Sequence, residues 1–345
     1  MPVYPPKPQP GDQVAVLSPG AALPEVFPAP YELGLRRLQR DFGLRPVEYP
    51  TTRRWSSPEA RAEDVMAAFA DPAIKAIVTS IGGSDQLKVL RHLDPDVIRE
   101  NPKPFFGISD NTNLHHYLFN LGMVSYYGGT VMTLLGRPGG LNDHSAFSFT
   151  MAMFTSQWYD LRPADSYTDM ERDWSDPTWA DAPPEMLPGT GWVWEGPHDR
   201  VVEGRLWGGS LEIVDFQLRA GRWLLPEEEY DGAVLFLETS EELPSAEYVW
   251  RLLMCMAERG LLQRFSALLM GRPKGWSLER QHSPLKRRAY VETQREAVLE
   301  VFREYRIDVP IVFDVDLGHT DPQLVVPHGG EVRIDPVERQ ISVHY

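Results

Sequence analysis

The sequence predicts an α/β protein of two domains, each built on a parallel sheet. Three observations lead there. The chain has 345 residues, more than one ordinary domain holds. Short apolar runs alternate with amphipathic segments through the first half and again after residue 201, the pattern of strands joined by crossover helices. Between them, from about residue 155 to 200, the composition turns to Asp, Pro and Trp with little periodicity. The expected division is residues 1–165, a Trp- and Pro-rich connector over 166–200, and residues 201–345. Hydrophobic residues make up 42% and charged residues 24%, the balance of a chain with a real core.

In chain order, Gln13 to Leu17 reads as a strand that ends at Ser18-Pro19-Gly20. Tyr31 to Phe42 reads as a helix, with Leu35 and Leu38 apolar among arginines. Pro58 to Phe69 is a second helix, with Ser57 as its cap and Pro58 at the first position. Ala76 to Ile81 is a buried strand running into Gly82-Gly83, and Pro104 to Ile108 is another, followed by a helix over about 110–121. Ligands of parallel sheets bind beyond the carboxyl ends of the strands, which directs attention to Gly82-Gly83 and Ser109. In the second half, Ala233 to Leu237 is a strand that stops at Glu238. A helix over Ser245–Arg259, a strand over Ala267–Met270 and a long helix over Pro284–Tyr305 come next. Ile311 to Phe313 then leads to Gly318-His319, and the terminal EVRIDPVERQISVHY alternates about Asp335-Pro336 as a β-hairpin does. The connector, with Trp158, Trp174, Trp179, Trp192 and Trp194 in or beside it, is expected to be ordered, burying some rings and lending one to a ligand.

Several function classes fall away. Thirty-four Lys and Arg against 49 Asp and Glu give a formal charge of −15, and no basic run suits nucleic acid or an anionic membrane. No window approaches the roughly 20 apolar residues that cross a bilayer. The opening MPVYPPKPQPGD lacks the apolar stretch of a signal peptide, so a cytoplasmic protein is expected. A single cysteine, Cys255, precludes an intramolecular disulfide and a multi-thiolate metal site, and its setting, Leu252 to Met256, predicts a buried helix face. No G-x-G-x-x-G follows a strand, so no nicotinamide cofactor is expected.

The chemistry-bearing element is Phe105-Phe106-Gly107-Ile108-Ser109-Asp110-Asn111-Thr112, where an apolar strand meets a serine and a helix begins at once. That context exposes a nucleophilic hydroxyl in the G-x-S-x-G elbow, although Asn111 replaces the second glycine. The competing reading makes Ser109 or Asp110 a helix cap. A serine needs a base, usually a histidine oriented by a carboxylate. Of nine histidines, His319 stands out, lying on a Gly318 turn after a strand. His115 and His116, on the helix after Ser109, read as a half-exposed pair. Asp314, Asp316 and Asp321 also permit a metal reading near His319, but no second ligand sits at a recognisable spacing. Glu238 is the candidate orienting acid because it ends a wholly apolar strand; its alternative is an exposed strand end beside Glu241 and Glu242. Amides of Gly82-Gly83 and Asp110 could form an oxyanion hole, or the glycines could make an ordinary turn.

These residues resemble the LD-carboxypeptidases and their relatives, the microcin C immunity proteins. The likeness runs through Gly11-Asp12, Ile81-Gly82-Gly83, Gly107-Ile108-Ser109-Asp110, Gly204-Arg205-Leu206, Gly208-Gly209-Ser210-Leu211, Leu237-Glu238-Thr239-Ser240 and Gly318-His319-Thr320. The resemblance implies a Ser109, Glu238 and His319 triad, with the backbone amides of Gly83 and Asp110 as the oxyanion hole. It also implies a flavodoxin-like, or amidotransferase-like, N-terminal domain, a swivelling C-terminal α/β domain, a homodimer, and no metal or cofactor. Ser210 stands where the family often has Asn, and Ser84 where an aromatic residue is frequent; both are expected near the substrate.

Two substrate classes follow from the family. One is a muropeptide whose terminal D-alanine is released in peptidoglycan recycling; the other is an amide joining an aminoacyl or peptidyl group to a nucleotide. The chain length and the Trp-rich connector resemble the second branch, with Trp174 or Trp179 expected to stack on the base. The rival from another class is a non-catalytic ligand-binding protein on the same fold.

Overall fold

A computed structural model describes residues 2–345 of the chain. The first half supplies strands β1 (Gln13–Leu17), β2 (Arg45–Glu48), β3 (Ile74–Thr79), β4 (Phe105–Gly107) and β5 (Ser125–Tyr127). They alternate with helices α1 (Pro28–Arg40), α2 (Pro58–Ala70), α3 (Pro95–Glu100) and α4 (Thr112–Asn120), and α5 (Asp143–Phe154) closes the series. The next stretch holds β6 (Trp158–Leu161), a two-stranded ladder of β7 (Ser166–Tyr167) and β8 (Leu187–Pro188), and β9 (Val193–Glu195). The second half runs β10 (Val202–Ser210), α6 (Leu211–Ala220), β11 (Val234–Glu238), α7 (Ala246–Glu258), β12 (Ala267–Gly271), α8 (Pro284–Glu304) and β13 (Ile311–Val315). It ends with β14 (Val326–His328), β15 (Glu331–Asp335) and β16 (Gln340–His344).

The first sheet has the order β14-β5-β4-β3-β1-β2, so its five parallel strands follow the doubly wound flavodoxin sequence 2-1-3-4-5. The second has eight strands in the order β6-β16-β15-β10-β11-β12-β13-β9, with β10 to β13 parallel and the flanks antiparallel. The protein is thus a mixed α/β structure of two parallel-strand units. Two short segments cross the expected division: β6 precedes residue 165 yet belongs to the second sheet, and β14 edges the first, antiparallel to β5.

Burial on both faces explains why the central strands read as unbroken apolar runs. Val14 and Val16 of β1 point into one core cluster, Ala15 and Leu17 into another. Val234 and Phe236 of β11 enter that first cluster too, so the two sheets share a continuous apolar interior, while Leu235 and Leu237 face α6, α7 and α8. Ser57 and Ser245 cap α2 and α7 by accepting from Ala60 and Tyr248 amides. No helix among the described residues is long and apolar enough to cross a membrane.

Three expectations need correction. Cys255 is exposed: on α7 the buried positions are Val249, Leu252, Leu253, Met256 and Ala257, and Cys255 falls off that stripe. His115 and His116 are fully buried, because α4 lies between the first sheet and β10. Trp179 is a buried packing residue, 4% exposed.

Candidate active site

β4 ends at Gly107, and the chain turns so sharply that Ser109 takes φ 59°, a left-handed conformation that costs a non-glycine residue of order 1–3 kcal/mol. Strain of that kind at a strand-to-helix turn is what lifts a hydroxyl clear of the backbone. The cap reading is not met: neither the short turn Ser109–Asn111 nor α4 has a side-chain cap hydrogen bond. The Ser109 amide donates to the Tyr127 phenol oxygen at 3.0 Å.

Asp110 fastens this turn to its neighbour. Its Oδ2 accepts from the amides of Asp85 at 3.0 Å and Gln86 at 2.9 Å, and its Oδ1 accepts from Asn113 Nδ2 at 2.9 Å. Burial pushes the carboxyl up to about 6, against the pull of the Gln86 amide. The turn carrying Gly82 and Gly83 is thereby held against the serine. A side chain on Gly82 would bring Cβ within 2.8 Å of Ser109 Cβ, so only glycine permits the approach.

Glu238 ends β11 fully buried. Its Oε2 meets His319 Nδ1 at 2.7 Å, and its Oε1 accepts from the Tyr127 hydroxyl at 2.5 Å. Gly318 makes the first contact possible: it sits at φ +81°, and a Cβ there would overlap the Glu238 carboxylate. Burial lowers the His319 pKa, but Glu238 and then Glu241 outweigh it and carry the imidazole up to about 9. Glu241 Oε2 stands 3.2 Å from His319 Nε2, the nitrogen opposite the Glu238 contact.

Ser109 and His319 open into one cavity of about 520 Å³, whose walls also include Gly82, Gly83, Ser84 and Glu241. Among the described residues no hydrogen bond joins the serine hydroxyl to the imidazole. Trp174 lines the same cavity, edge-on to Phe27 with ring centroids 5.7 Å apart. Arg137 and Lys274 also reach it, but each is already paired, with Asp321 at 2.7 Å and Glu171 at 2.7 Å. Asp314 and Asp316 instead flank the buried Arg272.

Two residues expected near the substrate are absent from these walls, Trp179 and Ser210. Ser210 is 1% exposed; its amide donates to Thr112 Oγ1 at 3.0 Å and its hydroxyl to Glu212 Oε2 at 3.1 Å. Glu212 in turn accepts from the Ser240 amide at 3.0 Å and hydroxyl at 2.7 Å, so Ser210 braces the loop after Glu238 from behind. Tyr127 was not legible beforehand, since nothing in Ser125-Tyr126-Tyr127 distinguishes one phenol from the next. The Glu241 contact was equally hidden, because a loop carboxylate beside another looks solvated.

Comparison with known proteins agrees with this architecture. The LD-carboxypeptidase N-terminal domain matches residues 14–128, and the LD-carboxypeptidase C-terminal domain matches residues 203–334. A protein of Vibrio cholerae, named as a candidate carboxypeptidase, is 28% identical over 94% of this chain and 92% of its own length. The microcin C7 self-immunity protein MccF of Escherichia coli is 27% identical over 82% of this chain and 77% of its own. Among solved structures, an MccF-like protein of Streptococcus pneumoniae in complex with AMP superimposes with a TM-score of 0.83 at 26% identity, covering 97% of this chain and 99% of that one.

Proposed function

From the premise that the chain belongs to the LD-carboxypeptidase family of peptidase-type hydrolases, we propose that it cleaves an amide by a Ser109, Glu238 and His319 triad. The observation that carries this is the strained Ser109 turn opening into the same cavity as a histidine whose far nitrogen is held by a buried carboxylate. Ser109 attacks the carbonyl while His319 Nε2 takes its proton, and Glu238 fixes the ring through Nδ1. The oxyanion rests on the amides of Gly83 and Asp110, each such donor being worth roughly 10²–10³ in turnover. His319 then protonates the leaving amine, and water releases the acyl group.

The substrate proposed is an aminoacyl or peptidyl group joined by an amide to a nucleotide, with Trp174 against the base. The half-buried indole in the cavity wall favours this over a muropeptide, because a base offers it a flat face to stack on. The working assembly proposed is a homodimer, which sedimentation velocity reads directly. A fluorophosphonate probe applied at pH 10, where an imidazole raised to about 9 is neutral, followed by peptide mass spectrometry tests the nucleophile: labelling at Ser109, lost in Ser109→Ala, is expected, and a native protein unlabelled at that pH refutes the hydrolase in favour of a binding protein. Incubation with aminoacyl sulfamoyl-adenylates and, separately, tetrapeptide muropeptides decides the substrate class.

A further inference from the structure

His319 has a carboxylate on both sides. Glu238 takes Nδ1 at 2.7 Å from the buried end of β11, and Glu241 takes Nε2 at 3.2 Å from the loop that follows. A base that is to receive the Ser109 proton must have Nε2 free and unprotonated. With a carboxylate against each nitrogen, the imidazole is held as the cation instead. The triad reading explains Glu238 and leaves Glu241 without a role.

The surroundings show what could draw Glu241 away. Five carboxylates and three permanent cations line the cavity. Of the cations, Arg137 is paired with Asp321, Lys274 with Glu171, and Arg172 is spent on the carbonyls of Ala182 and Thr178. Glu241 has one ionic partner among the described residues, His319, and Glu242 beside it has none. The Glu241 side chain is 55% exposed, so it is free to swing, whereas Glu238 is immobilised by Tyr127 and by burial.

We propose that Glu241 is a positioning and specificity residue: it latches His319 in the empty site and lets go to receive a cationic group, such as a free α-ammonium, on the acyl side of the substrate. The inference rests on the hydrolase reading above and specifies its substrate. When Glu241 turns to the ammonium, the Nε2 proton is no longer held and passes to water in the open cavity. The neutral imidazole then faces Ser109. An acyl group without a positive charge leaves the latch closed.

The groups that set the His319 charge are Glu238 at the end of β11, Glu241 in the next loop and Glu212 on α6. Tyr127 on β5 acts on it through Glu238, Lys274 after β12 acts through Glu241, and the Arg137–Asp321 pair closes the same wall. Burial opposes them, and the imidazole ends raised to about 9. Removing one of the two touching carboxylates should bring it down by at least about one pH unit.

The test uses the intact protein and its Glu241→Gln variant. Nuclear magnetic resonance of the His319 ring across pH 5–11 should show the titration midpoint falling by about one unit or more in the variant. In parallel, kcat/KM is measured for an aminoacyl sulfamoyl-adenylate and for its N-acetylated counterpart. The native protein should favour the free amine at least about tenfold, and Glu241→Gln should lose most of that preference. An unchanged midpoint, or an unchanged preference, overturns the latch. Fluorophosphonate labelling at pH 10, above the raised imidazole pKa of about 9 so that the base is neutral whether or not Glu241 holds it, keeps the two proposals apart: labelled protein with an unmoved midpoint sinks only the latch, while native protein unlabelled at that pH sinks the hydrolase.

Discussion

Tyr127 and Glu238 share a 2.5 Å hydrogen bond in which the phenol donates, while the same oxygen accepts from the Ser109 amide at 3.0 Å. One hydroxyl therefore ties the backbone of the candidate nucleophile to the acid that orients the candidate base, and it joins an element of the first sheet to one of the second.

Tyr127→Phe should remove that tie and leave a buried carboxylate short of a donor. Loss of about 1–3 kcal/mol of stability is expected, since an unsatisfied buried acceptor keeps its full desolvation cost. Turnover should fall roughly 10- to 100-fold as the serine turn and Glu238 lose their common reference. Urea denaturation and steady-state kinetics on the same preparation check both figures.

Gly318→Ala should be harsher on turnover than on folding. The added methyl meets the Glu238 carboxylate in a left-handed backbone, so the loop must back away and carry His319 with it. A fall in kcat of about 10²-fold or more, with of order 1–3 kcal/mol of strain, is expected. Near-native kcat in a folded variant would mean that the imidazole is positioned by something other than Glu238.

The two connector tryptophans should separate cleanly. Trp174→Ala should raise KM for a nucleotide-bearing substrate by roughly 5- to 150-fold, the equivalent of about 1–3 kcal/mol of base stacking. Fluorophosphonate labelling of Ser109 should continue. Trp179→Ala should instead lower the melting temperature, through a loss of about 3–5 kcal/mol from an emptied packing site.

A buried histidine cluster should make the fold acid-labile. His115 and His116 each pack against His328, with ring centroids 5.5 and 5.4 Å from it. Burial lowers His115 to about 3 and His116 to about 4, and it takes His328 well below its ordinary value. Unfolding restores each to about 6.5. Below that value the unfolded chain binds protons that the folded one refuses, so stability is full above pH 6.5 and declines as pH falls toward 4. The slope is about 1.4 kcal/mol per pH unit for each histidine. Urea midpoints at pH 7 and pH 5 should differ strongly in the native protein and less in His328→Gln; parallel midpoints in the two would rule out the cluster as the cause.

Much of this was written in the sequence, and the limits have physical reasons. The strands β1, β3, β11 and β12 were readable because both faces are buried and their apolar runs are continuous. The cap Ser57 and Pro58 beside it announced α2 through local chemistry alone. β10 gave a weaker signal: Gly204, Gly208 and Gly209 dilute the strand pattern, although glycine is required where the chain passes close to β11 and Thr112. The burial of His116 was illegible because it depends on β10, about a hundred residues away, whose Gly208 carbonyl meets it at 2.9 Å, while His115 is buried on the other side, against Gly107 and Ser125 of the first sheet. Trp174 and Trp179 could not be told apart because their fates depend on which side of an irregular loop faces the cavity. Ser210 misled for a related reason: a motif position fixes the backbone, but its hydroxyl here turns inward to Glu212.

The strand that edges the first sheet, β14, comes from residues 326–328, about two hundred positions after its partner β5. During synthesis the amino-terminal half must therefore wait, with one edge bare, until residues 326–328 have left the ribosome. An uncovered edge is a template for pairing with other chains. A product cut short before residue 326 would keep every parallel strand of that sheet and still present a bare β5 edge, so the segment 326–328 guards against aggregation.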